Sequence, residues 1–179
     1  MTRKLVLQMS VSLDGFVSRA DNSLDWGPTS PDPEHYDWIY ELLKGAGTHI
    51  MGRRAYEDMS PYWPTSDDKL APLMNDIPKV VFSATLAGAS WAGTRIARGD
   101  LVEEITALKA EPGCEIVAHG GAKFVQSLSQ QGLVDEYRLT IRPVALGAGL
   151  PMFANQVYLR LVSSQPFPTG VVLNTYQPA

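Results

Sequence analysis

The sequence of 179 residues contains a single cysteine, Cys114. One cysteine excludes an intrachain disulfide and any zinc site built from cysteines. Cys114 follows a Pro-Gly pair and opens an apolar run, so we interpret it as a structural thiol at the start of a strand, with a nucleophile or a redox sensor as the alternatives. The three histidines, His35, His49 and His119, do not show helical ligand spacing, so no metal site is predicted.

The sequence also lacks a basic block and a long apolar run. The formal net charge is −4, which gives no indication of a nucleic-acid partner. The apolar stretch Leu5–Val11 is interrupted by Gln8 and Ser10, so it is too short and too polar for a signal peptide or a membrane span. We therefore expect a cytoplasmic protein without a membrane partner. With 45% hydrophobic and 19% charged residues, the composition is that of a globular chain, and residues 1–179 are expected to form a single domain.

Strand-like apolar runs alternate with helix-like segments along the chain, without an internal repeat or a linker. The predicted strands are Leu5–Met9, Thr48–Met51, Lys79–Phe82, Glu115–Ala118, Tyr137–Ile141, Tyr158–Ser163 and Gly170–Tyr176. Four helices are predicted. The first begins at the N-cap Asp32 and ends near Gly45, and the second spans Ala55–Met59. The third has Leu101, Ile105 and Leu108 on one face, and the fourth runs from Ala122 to about Gln131. Strands separated by helices indicate a largely parallel sheet, whereas the last third lacks such helices. The expected fold is therefore a three-layer α/β domain with an antiparallel C-terminal edge.

Two junctions between a predicted strand and the following helix carry glycine. One has Gly52 before Arg53 and Arg54, and the other has Gly120 and Gly121. Ligands of open α/β sheets bind at the carboxyl ends of strands, where helix N-termini supply backbone N–H groups. Neither junction matches the dinucleotide G-x-G-x-x-G motif or the Walker A motif, and an ordinary turn is the alternative for each.

The adjacent Arg53 and Arg54 stand in the first turn of a helix, where cations oppose the helix dipole. This placement is reasonable if an anion lies between them, and the fork of an arginine suits a phosphate monoester such as the 2′-phosphate of NADPH. A solvated charged pair is the alternative. Ser83 and Thr85 follow another predicted strand, where their hydroxyls either bind a phosphate or cap a turn.

These segments together resemble a known family. The resemblance is carried by Ser12–Gly15, Met51–Glu57, Val80–Ser83, Gly120–Ala122 and Pro143–Phe153. In their order and spacing, the chain is similar to dihydrofolate reductase, and more closely to the reductase domain of the bifunctional riboflavin-biosynthesis deaminase-reductase and its stand-alone relatives. The resemblance implies a dihydrofolate-reductase-like fold and an NADPH cofactor.

The resemblance also implies positions for the cofactor. Gly52, Arg53 and Arg54 would meet its phosphates, with Arg53 at the 2′-phosphate. Ser83 and Thr85 would flank the adenosine, and Ser10, Val11, Gly15 and Phe16 would frame the nicotinamide. The pyrophosphate would lie against Gly120, Gly121, Ala122 and Lys123, followed in the helix by Phe124 and Val125. Ala55 departs from the family, which commonly has threonine there. Residues 22–31 resemble the mobile active-site loop, with Trp26 near the position of that loop's tryptophan.

A protonated carboxylic acid is needed if the substrate requires a proton from the protein. Dihydrofolate reductase uses a carboxylate on its first helix, and Asp37 is the closer match to it, ahead of Glu34, with an ordinary solvated helix residue as the alternative for Asp37. Asp14 is the second candidate, although Asp-Gly usually serves turn formation. A phosphosugar substrate would also need a cation, and Lys123, Arg142 and Arg160 are the candidates.

The predicted function is an NADPH-dependent reductase of the riboflavin-biosynthesis type, which reduces 5-amino-6-(5-phosphoribosylamino)uracil or a similar small heterocyclic or aminosugar substrate. A dihydrofolate or pterin reductase and a non-catalytic NADPH-binding protein are the alternatives. Relatives are often homodimers, and Phe153, Tyr158 and Leu161 are candidates either for a dimer face or for the core.

Overall fold

The structure, a computed structural model, describes residues 2–27 and 32–179. The strands are β1 (Leu5–Ser12), β2 (Phe16–Ser18), β3 (Ala46–Gly52), β4 (Lys79–Phe82), β5 (Thr94–Ala97), β6 (Glu115–Ala118), β7 (Glu136–Arg142), β8 (Leu150–Pro151), β9 (Leu159–Pro166) and β10 (Val172–Pro178). The helices are α1 (Pro33–Lys44), α2 (Arg53–Met59), α3 (Ala71–Asp76), α4 (Leu101–Ala110) and α5 (Ala122–Gln130), with a 3-10 turn at Trp63–Thr65.

Eight strands form one mixed sheet in the order β5-β4-β3-β6-β1-β7-β10-β9. The first six are parallel in this order, whereas β10 is antiparallel to β7 and β9 is antiparallel to β10. The predicted α/β class, with a mostly parallel sheet and an antiparallel C-terminal edge, is therefore confirmed. Parallel order places the carboxyl ends of β1, β3, β4 and β6 at one edge, where ligands of such sheets bind.

Helix α1 begins as its sequence predicts. One carboxylate oxygen of Asp32 accepts hydrogen bonds from the backbone N–H groups of Glu34 and His35, both at 3.1 Å. Pro33 occupies the first helical position, where its missing N–H costs no hydrogen bond. The other oxygen of Asp32 accepts from the Thr169 hydroxyl at 2.6 Å, so the same residue ties α1 to the turn between β9 and β10.

Helices cover both faces of the sheet. On one face, the buried Ile105 of α4 and Leu128 of α5 belong to the main core cluster with Leu7 and Ile50. On the other face, α1, α2 and α3 contribute Leu43, Tyr56 and Met74 to a second cluster with Met51 and Val81. None of the helices in residues 2–27 and 32–179 is long and apolar enough to span a bilayer.

Three elements were not predicted from the sequence: α3, β5 and the two-residue strand β8. Helix α3 has six residues and no side-chain cap, so it shows neither a clear period nor a start signal. Strand β5 is a four-residue edge strand in which Arg95 is exposed. After the turn at Gly15, Phe16–Ser18 form β2, which pairs with β8 in a separate two-stranded sheet.

The apolar residues late in the chain divide between core and surface. Phe153 packs on the buried Tyr137, with 5.8 Å between ring centroids. Tyr158, just before the edge strand β9, is exposed, and so are Leu161 and Val162 within that strand. The core reading therefore holds for Phe153 only, and the homodimer stays a prediction.

Candidate functional site

The two glycine junctions lie side by side at the carboxyl edge of the sheet. This follows from the parallel pairing of β3 with β6, in which Ile50 is opposite Ala118. At the last residue of β3, the backbone N–H of Gly52 donates to the carbonyl of Gly120, two residues beyond β6, at 2.8 Å. The junctions, which lie far apart in sequence, therefore form one surface.

Glycine is required at position 52 by close packing. A Cβ atom there would lie 2.8 Å from the Cβ of Phe124, in the first turn of α5. Real Cβ atoms do not approach so closely. Gly120 has φ +115°, a conformation that side chains rarely adopt, and it joins Gly121 through a cis peptide bond. These glycines bring the starts of α2 and α5 close to each other.

Both helix starts are open to an anion. The N-caps of α2 and α5 are Gly52 and Gly121, which have no capping side chain, and neither helix has an acidic residue in its first turn. Backbone N–H groups at a helix start carry partial positive charge and lack intrahelical partners. The arrangement suits a phosphate or a pyrophosphate.

A cavity of about 450 Å³ lies over these helix starts. Its lining combines the junction residues with apolar and polar neighbours: Asn22, Gly52, Arg53, Arg54, Glu57, Phe82, Gly121, Ala122, Lys123, Phe124, Ser127 and Leu150. Phe82 and Phe124 stack in its wall with 5.0 Å between centroids. The structure thus brings together seven of the predicted cofactor residues here.

The two arginines are exposed and paired. Arg53 bonds Glu57 through Nε at 2.6 Å and the Thr85 hydroxyl through Nη1 at 2.7 Å, while Arg54 bonds Asp58 through Nε at 3.2 Å. Each pair is an i,i+4 contact on the surface of α2. Such exposed ion pairs contribute little stability, so an incoming phosphate can compete for the guanidinium groups.

Ser83 has a turn-forming role. Its hydroxyl accepts from the backbone N–H groups of Thr85 at 3.2 Å and Leu86 at 3.0 Å. Neither Ser83 nor Thr85 lines the cavity, and Thr85 reaches it only through its bond to Arg53. The structure thus favours the capping alternative for Ser83, while its contact with an adenosine remains a prediction.

A second cavity, of about 340 Å³, adjoins the first and shares Asn22, Arg54, Gly121, Ala122 and Leu150 with it. Its other lining residues are mostly apolar: Met9, Val17, Ser18, Leu24, Ala55, Asp58, Met59, Tyr62, Trp63, His119 and Gly120. Most of these residues were missed, because isolated apolar positions give no signal of their own. An apolar wall with few polar groups suits a flat ring.

His119 brings a polar atom to this apolar wall. Its Nε2 lies 2.9 Å from Nδ1 of His49, whose Nε2 lies 3.2 Å from the carbonyl of Leu73. Burial lowers the pKa of His49 to about 4 and that of His119 well below its usual value, so both rings are neutral. A carbonyl only accepts, so His49 donates through Nε2 and accepts from His119 through Nδ1. Nδ1 of His119 is then a lone-pair acceptor.

A third cavity, of about 280 Å³, continues the cleft and shares Met9, Val17, Leu24, Met59 and His119 with the second. Its remaining lining residues are Gln8, Ser10, Trp26, Gly27 and Arg142. Arg142 donates to the Ser10 hydroxyl at 3.3 Å. Of the three cations left open by the sequence, Arg142 lies here, Lys123 lines the first cavity, and Arg160 is exposed on β9 beside Gln177.

The remaining predicted cofactor residues lie behind or beside the cleft. Val11 and Val125 are buried in the main core. Gly15 forms the turn before β2 with φ +90°, and Phe16 pairs with Pro151 of β8. Of the predicted active-site loop, Pro28–Pro31 fall outside the described residues.

Asp14 holds a loop in place. Its carboxylate accepts from the backbone N–H groups of Leu146 at 3.0 Å and Gly147 at 2.7 Å and from the Ser12 hydroxyl at 2.7 Å. These hydrogen bonds, led by that of Leu146, lower the pKa of Asp14 to about 2. An ionised carboxylate cannot donate a proton, so the geometry supports the turn role.

Asp37 lies on the solvent side of α1. Its side chain is 72% exposed and forms an ion pair with Lys69. It does not line any of the three cavities. Its role as a proton donor stays a prediction that this geometry does not support.

His35 is a buried polar side chain of α1 that reaches the sheet. Its Nε2 lies 3.0 Å from the Thr140 hydroxyl on β7, and Phe167 packs edge-on against its ring. Burial, with a contribution from Arg142, lowers the pKa of His35 to about 4. The signal that could have found it is its place in the first turn, three residues after the N-cap Asp32.

Comparisons with known proteins agree with this architecture. The family model of the RibD C-terminal domain matches residues 3–173. The chain is 32% identical to the uncharacterized protein YyaP of Bacillus subtilis (strain 168), over 97% of this chain and 94% of YyaP.

Three solved structures share the fold. A protein of Shewanella sp. PV-4 that carries a provisional riboflavin-biosynthesis name has a TM-score of 0.77 and 22% identity, with 100% of this chain and 99% of that chain covered. The Thermotoga maritima diaminohydroxyphosphoribosylaminopyrimidine deaminase/5-amino-6-(5-phosphoribosylamino)uracil reductase has a TM-score of 0.72 and 14% identity, with 99% and 57% covered. Dihydrofolate reductase from Enterococcus faecalis, in complex with NADP(H), has a TM-score of 0.67 and 16% identity, with 99% of each chain covered.

The fold is therefore dihydrofolate-reductase-like, as expected from the sequence. The match of the family model over nearly the whole chain goes further than the fold. The chain belongs to the RibD C-terminal domain family, a reductase family of the riboflavin pathway.

Proposed function

We propose that this protein is an NADPH-dependent reductase whose cleft holds the cofactor across the first two cavities. The observation that carries the proposal is the meeting of two uncapped helix starts and two arginines in one cavity. This combination supplies donors for a pyrophosphate and cations for a further phosphate.

The donor set fits such a cofactor from end to end. In the proposal, Arg53 holds the 2′-phosphate together with Thr85, and Arg54 faces the phosphates from the start of α2. The backbone N–H groups of Gly121 through Lys123 receive the pyrophosphate. The nicotinamide lies in the second cavity, between Met9 on β1 and Met59 of α2.

When bound, NADPH supplies a hydride to an electrophilic carbon of the substrate. The chain's own contribution is to position the two reactants and to exclude water, which the apolar wall of the second cavity does. The neutral His119 offers an acceptor for an N–H or O–H of either ligand. No carboxylic acid lines the third cavity in the described part of the chain.

The third cavity has no acid in its described lining, and Asp58 in the lining of the second cavity is paired with Arg54, which together favour the riboflavin-type substrate. Reduction of an opened ribosylamino sugar resembles imine reduction, in which the nitrogen already carries or readily takes its proton from water. A dihydrofolate or pterin ring instead needs a proton delivered in the pocket. We therefore propose 5-amino-6-(5-phosphoribosylamino)uracil, or a close relative, as the substrate type ahead of dihydrofolate.

The test is the oxidation of NADPH, followed by its absorbance, with each of these two substrates. The proposal expects turnover with the phosphoribosylaminouracil and a kcat/KM at least about ten-fold lower with dihydrofolate. Turnover with dihydrofolate alone would overturn the choice of substrate. NADPH binding without turnover of either substrate would contradict the reductase activity and favour a non-catalytic NADPH-binding protein.

A further inference from the structure

Arg142 is the last residue of β7, and its side chain turns toward the third cavity. It is half-buried, and burial lowers the pKa of its guanidinium. Its Nη2 donates a hydrogen bond to the Ser10 hydroxyl on the neighbouring strand β1. An arginine has five N–H donors, so this single neutral acceptor leaves most of the guanidinium unpaired.

This environment differs from that of every other arginine. Six arginines form ion pairs with carboxylates: Arg3, Arg19, Arg53, Arg54, Arg95 and Arg138. Arg98 bonds two backbone carbonyls, and Arg160 bonds the side-chain carbonyl of Gln177. Within residues 2–27 and 32–179, Arg142 is the arginine that desolvates its charge without a carboxylate or carbonyl partner. Such a placement costs free energy unless an anion is supplied.

A second donor lies in the same wall. The indole Nε1 of Trp26 is buried and has no hydrogen-bond acceptor among the residues that the structure describes. Trp26 lines the third cavity together with Arg142 and Ser10. Buried indole N–H groups normally find a partner. Trp26 and Arg142 therefore both lack an acceptor at one place.

The groups around the cavity do not neutralise this charge. Its described lining residues include no aspartate or glutamate. His35 is neutral, because burial, with a contribution from the charge of Arg142, lowers its pKa to about 4. The net charge of the protein is −4, so a local positive site at this end of the cleft is a departure from the overall balance.

We propose that the third cavity is an anion subsite, in which Arg142, Ser10 and Trp26 receive a phosphate or carboxylate group of the substrate. With a volume of about 280 Å³, it takes one part of a ligand, since pockets for whole small ligands span roughly 300–1,000 Å³. The proposal rests on the proposed function only in naming this ligand a substrate. Arg142 determines specificity here and takes no part in hydride transfer.

The test is calorimetric titration of the full chain, in the absence of NADPH, with three five-carbon probes. Ribose 5-phosphate carries a phosphate, ribonate carries a carboxylate, and ribose carries neither. The variant Arg142→Gln removes the charge, and Trp26→Phe removes the indole N–H while keeping an aromatic ring. Arg160→Gln is the matched control, because Arg160 is exposed on β9 away from the cleft. Circular dichroism and NADPH titration of each variant report the fold and the cofactor site.

We expect one of the two anionic probes to bind wild type at least about ten-fold more tightly than ribose. In Arg142→Gln this preference falls by about ten- to a hundred-fold, and in Trp26→Phe by a few-fold. Arg160→Gln behaves as wild type. The preferred probe identifies the substrate's anion as phosphate or carboxylate.

Equal binding of the three probes to wild type would overturn the anion subsite, as would an unchanged preference in a folded Arg142→Gln. The probes are titrated without cofactor. If wild type bound an anionic probe but not NADPH, that result would contradict the proposed function and still support the anion subsite.

Discussion

His119 donates the hydrogen of its Nε2 to Nδ1 of His49, at 2.9 Å, between the adjacent strands β6 and β3. The chain of donors ends at the Leu73 carbonyl, which His49 reaches at 3.2 Å. This bond fixes the tautomer of both rings and links the wall of the cleft to the helix α3. The arrangement requires a neutral His49, because its Nδ1 must accept a hydrogen bond, and burial keeps His119 neutral as well.

The first prediction concerns the pKa values of the three histidines. Burial lowers the pKa of His35 and of His49 to about 4, and that of His119 well below 6.5. Since the sequence holds only these histidines, NMR titration of the imidazole Cε1–H signals can follow each one. We expect all three to remain neutral down to at least about pH 5. A histidine that titrates near pH 6.5 would contradict the described packing of its ring.

The same shifts set the direction of the pH dependence of stability. The unfolded chain takes up protons on its histidines below about pH 6.5, whereas the folded chain does so only near pH 4. Stability is therefore full above pH 6.5 and falls as the pH drops toward 4. For one histidine with a folded pKa of about 4, the loss between pH 7.5 and pH 5 is about 2 kcal/mol. Urea unfolding at these two pH values measures it, and equal unfolding free energies would contradict the account.

Gly52→Ala is expected to damage both stability and cofactor binding. The added Cβ would lie 2.8 Å from the Cβ of Phe124 and would push α5 away from the end of β3. We expect a loss of about 1–3 kcal/mol in unfolding free energy and weaker NADPH binding. Gly88→Ala is the matched control, since a Cβ there meets no atom within 4 Å. Similar behaviour of the two variants would show that the close approach does not matter.

Lys79 gives a prediction about the core. It is 1% exposed, and its ammonium donates to the carbonyls of Met74, Asn75 and Ile77 while lying 4.8 Å from the ring centre of Trp91. Burial lowers the pKa of Lys79.

Lys79→Met would leave these carbonyls at the end of α3 unpaired. The expected cost is about 3 kcal/mol of unfolding free energy, measured by chemical denaturation. Lys44→Met removes an exposed lysine from the end of α1 and should change the unfolding free energy by less than about 0.5 kcal/mol. A neutral Lys79→Met would show that the carbonyls find other donors.

The substitution of Asp37 tests whether this carboxylate is a proton donor. Asp37 is 72% exposed and pairs with Lys69, so Asp37→Asn should leave kcat within about two-fold of wild type. A fall of about a hundred-fold or more, with the pH profile of kcat changed, would instead establish Asp37 as the proton donor.

Asp14→Asn should lower the melting temperature, because the loop at Leu146 and Gly147 loses its charged acceptor.

Elements with explicit local signals could be predicted from the sequence. Asp32 and Pro33 mark the start of α1, and the glycine at position 52 marks the end of β3. The nearness of Gly52 and Gly120 could be expected from the parallel order of strands, but not the 2.8 Å bond between them. Helix α3 and strand β5 were missed because they are short and stabilised by tertiary contacts, among them those of Lys79.

The prediction of the site was accurate for the residues that the backbone geometry places, such as the glycine junctions. It was less accurate for residues whose place depends on the direction of their side chains. The glycine junctions line the cleft, whereas Val11 and Val125 point into the core. Val11 lies on a strand, whose residues alternate between two faces, so an error of one position moves a residue from the cleft into the core; Val125 lies on the inner face of α5. His119 and Arg142 depend on contacts between strands distant in sequence, which no local pattern encodes.

The most direct test of the account is a titration of the protein with NADPH and with NADH, followed by the quenching of tryptophan fluorescence. Arg53→Gln is compared with Arg95→Gln, since Arg95 forms a similar exposed ion pair with Glu104 at 2.9 Å but lies outside the cleft. The account predicts that wild type and Arg95→Gln bind NADPH at least about ten-fold more tightly than NADH, and that Arg53→Gln loses this preference. Equal affinities for the two nucleotides in wild type, or no binding of either, would contradict it.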